Sequence, residues 1–202
     1  MKQARVILML LGAVASVFLA GPARAQSAYL GADLVVLVNK LSYSIGGNTY
    51  DETYGTGHLR LRAGFRVNEN FAIEGHVLGA NSNTSNEPFG TPYKMTTGPI
   101  AGVYGRLDLP VGEMSSFYGL IGVASVSTKY QRATATVGPE DTDKNTGLSL
   151  GFGFGIGLTE SLKLNLDYML YRVGTASYPH YFFGGNPSQV VGGLGAGLSY
   201  QF

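Results

Sequence analysis

Between Gly147 and Leu158 the chain alternates without a break. Leu148, Leu150, Phe152, Phe154, Ile156 and Leu158 take one parity; Gly147, Ser149, Gly151, Gly153, Gly155 and Gly157 take the other. A period of two is the repeat of a β-strand, which sends successive side chains to opposite faces. A soluble sandwich has no use for a strand that is wholly apolar on one face and almost wholly glycine on the other. A narrow barrel in lipid does, because acyl chains bathe its outside and its inside leaves little room. The C-terminal segment repeats the pattern. Val190, Gly192, Leu194, Ala196, Leu198, Tyr200 and Phe202 alternate with Gly193, Gly195, Gly197, Ser199 and Gln201.

Charge obeys the same sorting. A strand over about residues 29–39 puts Leu30, Ala32, Leu34, Val36 and Val38 outside and Asp33 inside. A strand over about 58–67 puts Leu59, Leu61, Ala63, Phe65 and Val67 outside and Arg60, Arg62 and Arg66 inside. A strand over about 71–80 has Phe71, Ile73 and Val77 outside, Glu74 and His76 inside. One over about 100–109 has Val103, Leu107 and Leu109 outside, Tyr104, Arg106 and Asp108 inside. The seventh has Leu162, Leu164, Leu166, Tyr168 and Leu170 outside, Lys163, Asn165, Asp167 and Tyr171 inside. The fifth, about 117–127, carries no charge, and its parity stays open. A lysine or arginine on the lipid face at mid-membrane costs about 2–4 kcal/mol. A soluble barrel would reverse the sorting. The expected fold is all-β: an eight-stranded antiparallel up-and-down transmembrane barrel.

The connections alternate between long and short, as such a barrel requires. Residues 40–57, 81–98, 128–146 and 174–189 make long polar stretches. Asn68-Glu69-Asn70, Pro110 to Ser116 and Thr159-Glu160-Ser161 make short ones. Near the short turns lie Tyr29, Phe65, Phe71, Phe117, Tyr118, Tyr200 and Phe202, placed for an interfacial aromatic girdle. Tyr43, Tyr130 and Tyr181 suggest a second girdle on the long-loop side.

The first 25 residues read as a cleaved export signal and 26–202 as the barrel domain. Lys2 and Arg5 precede an apolar run from Val6 to Ala20, and Ala23-Arg24-Ala25 is a small-x-small cleavage site. The alternative is an N-terminal anchor helix, for which the run is short. Loss of Lys2, Arg5 and Arg24 turns a net charge of +1 into −2, which leaves no basic excess to recruit nucleic acid. The chain has no cysteine, so disulfides, thiolate metal sites and a lipid-modified N-terminus are excluded. Only 13% of residues are charged, glycine numbers 30, and tyrosine numbers 13 against no tryptophan. That balance suits a protein with two non-aqueous faces.

Four stretches carry a family resemblance: Tyr29-Leu30-Gly31-Ala32, the passage from Gly64 to Glu74 (GFRVNENFAIE), the alternating glycine strands, and Leu198-Ser199-Tyr200-Gln201-Phe202. Over residues 29–202 the chain resembles the small outer-membrane β-barrel proteins similar to the transmembrane domain of outer membrane protein A. The resemblance implies the outer membrane of a Gram-negative bacterium, reached through the periplasm with periplasmic chaperones. It implies that Leu198, Tyr200 and above all Phe202 form the signal read by the barrel assembly machinery. It implies contact with outer-membrane lipid and lipopolysaccharide. The chain stops at Phe202, so no appended peptidoglycan-binding domain is expected.

Inside the barrel, Arg60, Arg62, Arg66, Arg106 and Lys163 should meet Asp33, Glu74, Asp108 and Asp167, with His76 among them. Unpaired charge there would be costly, so these groups must pair or hold water. A salt-bridged plug is one reading; a narrow polar path or gate is the other. Gly147-Leu148-Ser149-Leu150-Gly151 matches a nucleophile elbow, but that elbow needs a strand–turn–helix, and Ser149 lies within an alternating strand. Asp141 to Asn145 resembles the start of a calcium loop. The glycine comes a place late and the closing glutamate is missing, so a solvated loop is the plainer reading. His58 and His76, on neighbouring strands, suggest a hydrogen-bonded interior pair; zinc would need a third ligand. His180 lies in an aromatic loop, and with Ser177 or Ser188 it could serve a lipid A-modifying enzyme.

The expected protein is a monomeric, non-catalytic barrel without metal or cofactor, serving envelope integrity or surface interaction. A small porin-like channel for ions or polar solutes is the alternative. A lipid A-modifying enzyme comes next, and adhesion to a surface last.

Overall fold

The computed structural model describes residues 27–45, 47–86, 92–132, 140–176 and 187–202. The described chain is all strand and turn, in nine segments: β1 (Ser27–Ile45), β2 (Asn48–Arg66), β3 (Phe71–Leu78), β4 (Asn81–Asn86), β5 (Pro92–Pro110), β6 (Ser115–Arg132), β7 (Glu140–Gly157), β8 (Leu162–Thr175) and β9 (Ser188–Gln201). Every pairing is antiparallel. The sheet closes on itself, since β1 pairs with β9 and β3 with β5. β3 and β4 both pair with β5 and act as one strand interrupted at Gly79 and Ala80, so the barrel has eight staves. Opposite the break, β5 shifts register between Thr97 and Ile100. Gly98 sits there at φ +98°, and a Cβ on it would lie 2.7 Å from the Gly79 carbonyl oxygen. Only glycine fits that corner.

Stagger follows from the register. Ladder partners lead from Ser27 through Arg66, Ala72, Arg106, Leu120, Gly151, Met169 and Gly193 back to β1 at Leu37, ten residues further on. Eight strands with that shear are tilted by roughly 35–45° and leave room inside for side chains only.

The short turns form because their residues bond to their own backbone. Asn68 Oδ1 accepts from the Asn70 and Phe71 amides at 2.9 and 2.8 Å. Thr159 Oγ1 accepts from the Leu162 amide at 3.0 Å. Such side-chain acceptors close a turn without a longer loop.

The faces sort as the alternation requires. On β1, Leu30, Leu34, Val36 and Val38 are exposed, while Tyr29, Asp33, Val35, Leu37, Asn39, Leu41 and Tyr43 are buried. Leu34 is 73% exposed and Arg60 is 0% exposed, the inverse of a soluble protein. The fifth stave, β6, resolves the open parity: Tyr118, Leu120, Ala124 and Val126 face in, and Phe117, Ile121 and Val123 face out.

Several expectations need correction. Among the described residues, three of the long connections, 40–57, 81–98 and 128–146, are largely strand. β1 and β2 run on past the apolar rows to a tight turn at Gly47, and residues 92–98, 128–132 and 140–146 are also strand. The outward apolar row ends before the strands do, because the inward row (Leu41, Tyr43, Tyr54, Met95, Tyr130) continues beyond it. The aromatic girdles are thinner than expected. Tyr29, Tyr118, Tyr43 and Tyr130 point inward, whereas Phe71, Phe117, Tyr200 and Phe202 stay on the outer wall. Parity decides this: Tyr29 shares its face with Asp33. Tyr181 lies outside the described residues. Asp141 to Asn145 is part of β7, not a solvated loop.

Candidate functional site in the lumen

The inward row of β1 reads the barrel axis from the short-turn end upward. It passes an aromatic ring (Tyr29), an acid (Asp33), two aliphatics (Val35, Leu37), an amide (Asn39), an aliphatic (Leu41) and a second ring (Tyr43). The interior is layered accordingly.

The lower layer is ionic. Asp33 accepts from Arg60 Nε at 2.8 Å and Arg62 Nε at 2.9 Å, and it also receives Arg62 Nη2. Arg60 Nη2 reaches Asp167 at 2.6 Å, and its Nη1 donates to Tyr171 at 3.2 Å. Arg106 holds Asp108 through two nitrogens, at 3.0 and 2.9 Å, and Glu74 at 3.0 Å. Its guanidinium lies 3.7 Å from the centroid of the Tyr118 ring, in cation–π contact. Glu74 also accepts from Tyr29 and lies 2.5 Å from His76 Nε2. Arg66, nearer the mouth, approaches Asp108 at 3.5 Å. Lys163 is half-buried at the same mouth and has no carboxylate within 4 Å among the described residues. It lines a cavity of about 10 Å³ with Arg66, Arg106 and Gln201.

Glycine makes this density possible. A Cβ on Gly195 would lie 2.9 Å from both Arg60 Nη2 and Asp167 Oδ1, and one on Gly197 would overlap Asp33 and the Ala32 carbonyl. On Gly64 it would overlap the Tyr29 ring, whose hydroxyl could then no longer reach Glu74. The inward glycines of β9 and β2 are therefore the counterpart of long arginines across the lumen.

Above the ionic layer lies an apolar one, made by Val35, Leu37, Leu78, Ile100, Met169 and Val191 with Tyr104 and Tyr171. Two buried layers thus follow one another along the lumen, first charged and then apolar. Asn39 bridges Thr97 at 3.2 Å and Gln189 at 3.0 Å above it. A last cluster, Leu41, Tyr43, Tyr54, Met95 and Tyr130, closes the upper end. Tyr43 donates to Glu52 at 2.6 Å there.

One ion pair escaped the sequence reading. Arg172 has the parity of the outer face. β8 shifts register between Leu170 and Arg172, so Tyr171 and Arg172 both turn inward. Arg172 Nη1 then meets Asp143 at 2.5 Å, and Nη2 donates to the Thr175 carbonyl at 2.8 Å. Asp143 was legible, since it shares parity with Ser149; the bulge that brings Arg172 to it has no local signature. Beside them, where the β7–β8 ladder ends, a cavity of about 40 Å³ is lined by Asn145, Gly147, Tyr171 and Gly174.

The remaining candidates find structural partners. Ser149 donates to the Leu170 carbonyl at 2.9 Å and lies 3.2 Å from the Tyr104 hydroxyl. His58 and His76 do not pair: His58 sits between Thr56 Oγ1 at 2.7 Å and the Gly79 carbonyl at 2.8 Å, while His76 joins Glu74. His58 is instead engaged by the Gly79 carbonyl, at the break after Leu78. Among the described residues, no three potential ligands converge on a metal position. Ser188 is exposed at the start of β9, with its hydroxyl 3.5 Å from the Ser42 carbonyl. His180 and Ser177 lie outside the described residues.

The family model of the outer membrane protein beta-barrel domain matches residues 11–202. No curated protein matches the chain. Solved structures do. Neisserial surface protein A superposes with a TM-score of 0.59 at 19% identity, over 89% of this chain and 100% of that one. Outer membrane protein AlkL, determined in lipid bilayers, gives 0.60 at 14% identity, over 91% and 93%. OprG from Pseudomonas aeruginosa gives 0.51 at 14% identity, over 88% and 96%. At these identities the likeness speaks for the fold alone.

Proposed function

Because the chain belongs to the outer membrane protein β-barrel domain family, we propose that it is a non-catalytic envelope protein, a rigid plugged barrel that serves integrity or surface interaction. Its place is the outer membrane of a Gram-negative bacterium. The observation that carries the proposal is the doubly blocked lumen: Arg60, Arg62 and Arg106 are locked between Asp33, Glu74, Asp108 and Asp167, with a packed apolar layer directly above. Groups held this way are costly to move, because separating a buried pair strands a charge.

The non-catalytic reading is supported by Ser149, His58 and His76, each engaged by a structural partner within the wall. A rigid wall leaves the extracellular ends free to diversify in what they touch. The test is a deletion strain complemented with the full chain or with a chain whose 177–186 connection is replaced by a short glycine–serine turn. The full chain should restore resistance to detergent and bulky antibiotics, and the trimmed one should fold yet restore it only in part. Lipid A from all strains should have identical masses. A mass change that tracks the protein would overturn the non-catalytic reading.

A further inference from the structure

Charge does not balance in the lower lumen. Arg60, Arg62, Arg66, Arg106 and Lys163 place five cations there, against the four carboxylates of Asp33, Glu74, Asp108 and Asp167. His76 can only add to the excess. The pairing shows where the surplus lies. Arg60 and Arg62 converge on Asp33, and Arg60 also takes Asp167. Arg106 takes Glu74 and both oxygens of Asp108. Arg66 is left to approach Asp108 at 3.5 Å and to donate to the Glu69 carbonyl at 3.2 Å. Lys163 is left with no carboxylate within 4 Å among the described residues.

The cavity of about 10 Å³ at the short-turn mouth collects that surplus. Tyr29, Arg66, Arg106, Lys163, Ser199 and Gln201 line it, so it meets three cations and no carboxylate. The ladders bring them together. Lys163 pairs with Ser199, Tyr29 pairs with Gln201, and Arg66 and Arg106 both pair with Ala72. The neutral members offer hydrogens. Ser199 Oγ already accepts from Asn165 Nδ2 at 2.9 Å, which leaves its own proton to donate. Gln201 Nε2 donates to Ser27 at 2.7 Å and keeps a second N–H. The Tyr29 hydroxyl is spent on Glu74, and its ring lies 6.0 and 5.8 Å from the Arg66 and Arg106 guanidiniums.

A cavity lined by cations and spare donors, beside a layer that lacks one negative charge, calls for an anion. Size selects which. The cavity has room for about one water-sized guest. A tetrahedral oxyanion is too large to enter, whereas a single-atom anion is not. A water would satisfy the donors and leave the charge unbalanced. We infer that Lys163, Ser199 and Arg66 bind one halide ion, chloride in ordinary salt, at the short-turn mouth, which is the periplasmic side of such barrels. Lys163 supplies the charge as a compact point donor. The Ser199 hydroxyl supplies a neutral donor from the neighbouring strand. The ion offsets the surplus cation and completes the ionic layer from below. The site lies beneath that layer, so the inference can fail while the proposed function stands.

The test uses the refolded barrel in neutral phosphatidylcholine, with sodium chloride exchanged stepwise for sodium gluconate at constant ionic strength, so that screening does not change. The urea midpoint, read by gel mobility, should rise with chloride, because a ligand held only by the folded state stabilises it. Chloride NMR lines should broaden in the presence of the barrel, and bromide should reverse the broadening where phosphate does not. Lys163→Gln should weaken chloride binding by at least about tenfold, and Ser199→Ala by about fivefold. Lys144→Gln, an exposed lysine of the outer wall, should change nothing. Full chloride binding by Lys163→Gln would overturn the inference. So would displacement by phosphate as readily as by bromide, which would mean attraction of any anion to the mouth. A midpoint indifferent to chloride would mean that water alone fills the cavity, and would equally overturn it. Crystals of the unmodified barrel soaked in bromide decide the matter even if the variants fold poorly. An anomalous peak between Lys163 and Ser199 is expected, and its absence would refute the site.

Discussion

Asp33→Asn tests the ionic layer at its centre. Asp33 is 1% exposed and accepts from two arginines, through Arg60 Nε at 2.8 Å, Arg62 Nε at 2.9 Å and Arg62 Nη2. The substitution keeps the shape and removes the charge. Arg60 retains Asp167 at 2.6 Å. Arg62 is left with Glu74 at 3.7 Å and Asp167 at 3.5 Å, both too long for good hydrogen bonds. Breaking one side of a buried pair costs about 3–5 kcal/mol, and the change should fall there. The assay is urea unfolding of the barrel in thin phosphatidylcholine vesicles. It must be followed by far-ultraviolet circular dichroism or gel mobility, because the chain has no tryptophan. The paired variant Asp33→Leu with Arg62→Leu should recover part of the loss, since burying two apolar groups is less costly than burying one orphaned charge. A change under about 1 kcal/mol for Asp33→Asn would refute the reasoning, because the arginines would then be solvated rather than locked.

Other outcomes follow from named contacts. Gly197→Ala should cost about 1–3 kcal/mol in the same assay, since its Cβ overlaps Asp33 and the Ala32 carbonyl, whereas Gly147→Ala, with open space around it, should be neutral. Leu34→Arg, on the most exposed position of the β1 apolar row, should cost about 2–4 kcal/mol in bilayers. Arg172→Met should strand Asp143 and raise hydrogen exchange at residues 171–175 while leaving β1 and β2 protected.

The barrel was legible because membrane physics writes itself into parity. Leu148 to Leu158 and Arg60, Arg62 and Arg106 fall on opposite faces without exception, and no packing detail is needed to see it. What escaped was of two kinds. Strand ends are hidden in the sequence because the lipid row stops at Val38 while the inner row continues through Leu41 and Tyr43, supported by a ladder to Tyr50. The break at Gly79 and the bulge at Tyr171 were invisible because each depends on the neighbouring strand. Arg172 turns inward only through that bulge. The inward place of Tyr29 is legible from its spacing of four residues from Asp33, although an aromatic ring at the membrane edge also fits a girdle.

Planar-bilayer recording of the unmodified barrel bears most directly on the central claim that charge and packed side chains close the lumen. A flat trace at high salt and up to high voltage, from preparations whose insertion is verified independently, is the expected result. Reproducible ohmic steps from the folded protein would contradict it, and would mean that ions pass between Arg60, Arg62 and the apolar layer above them.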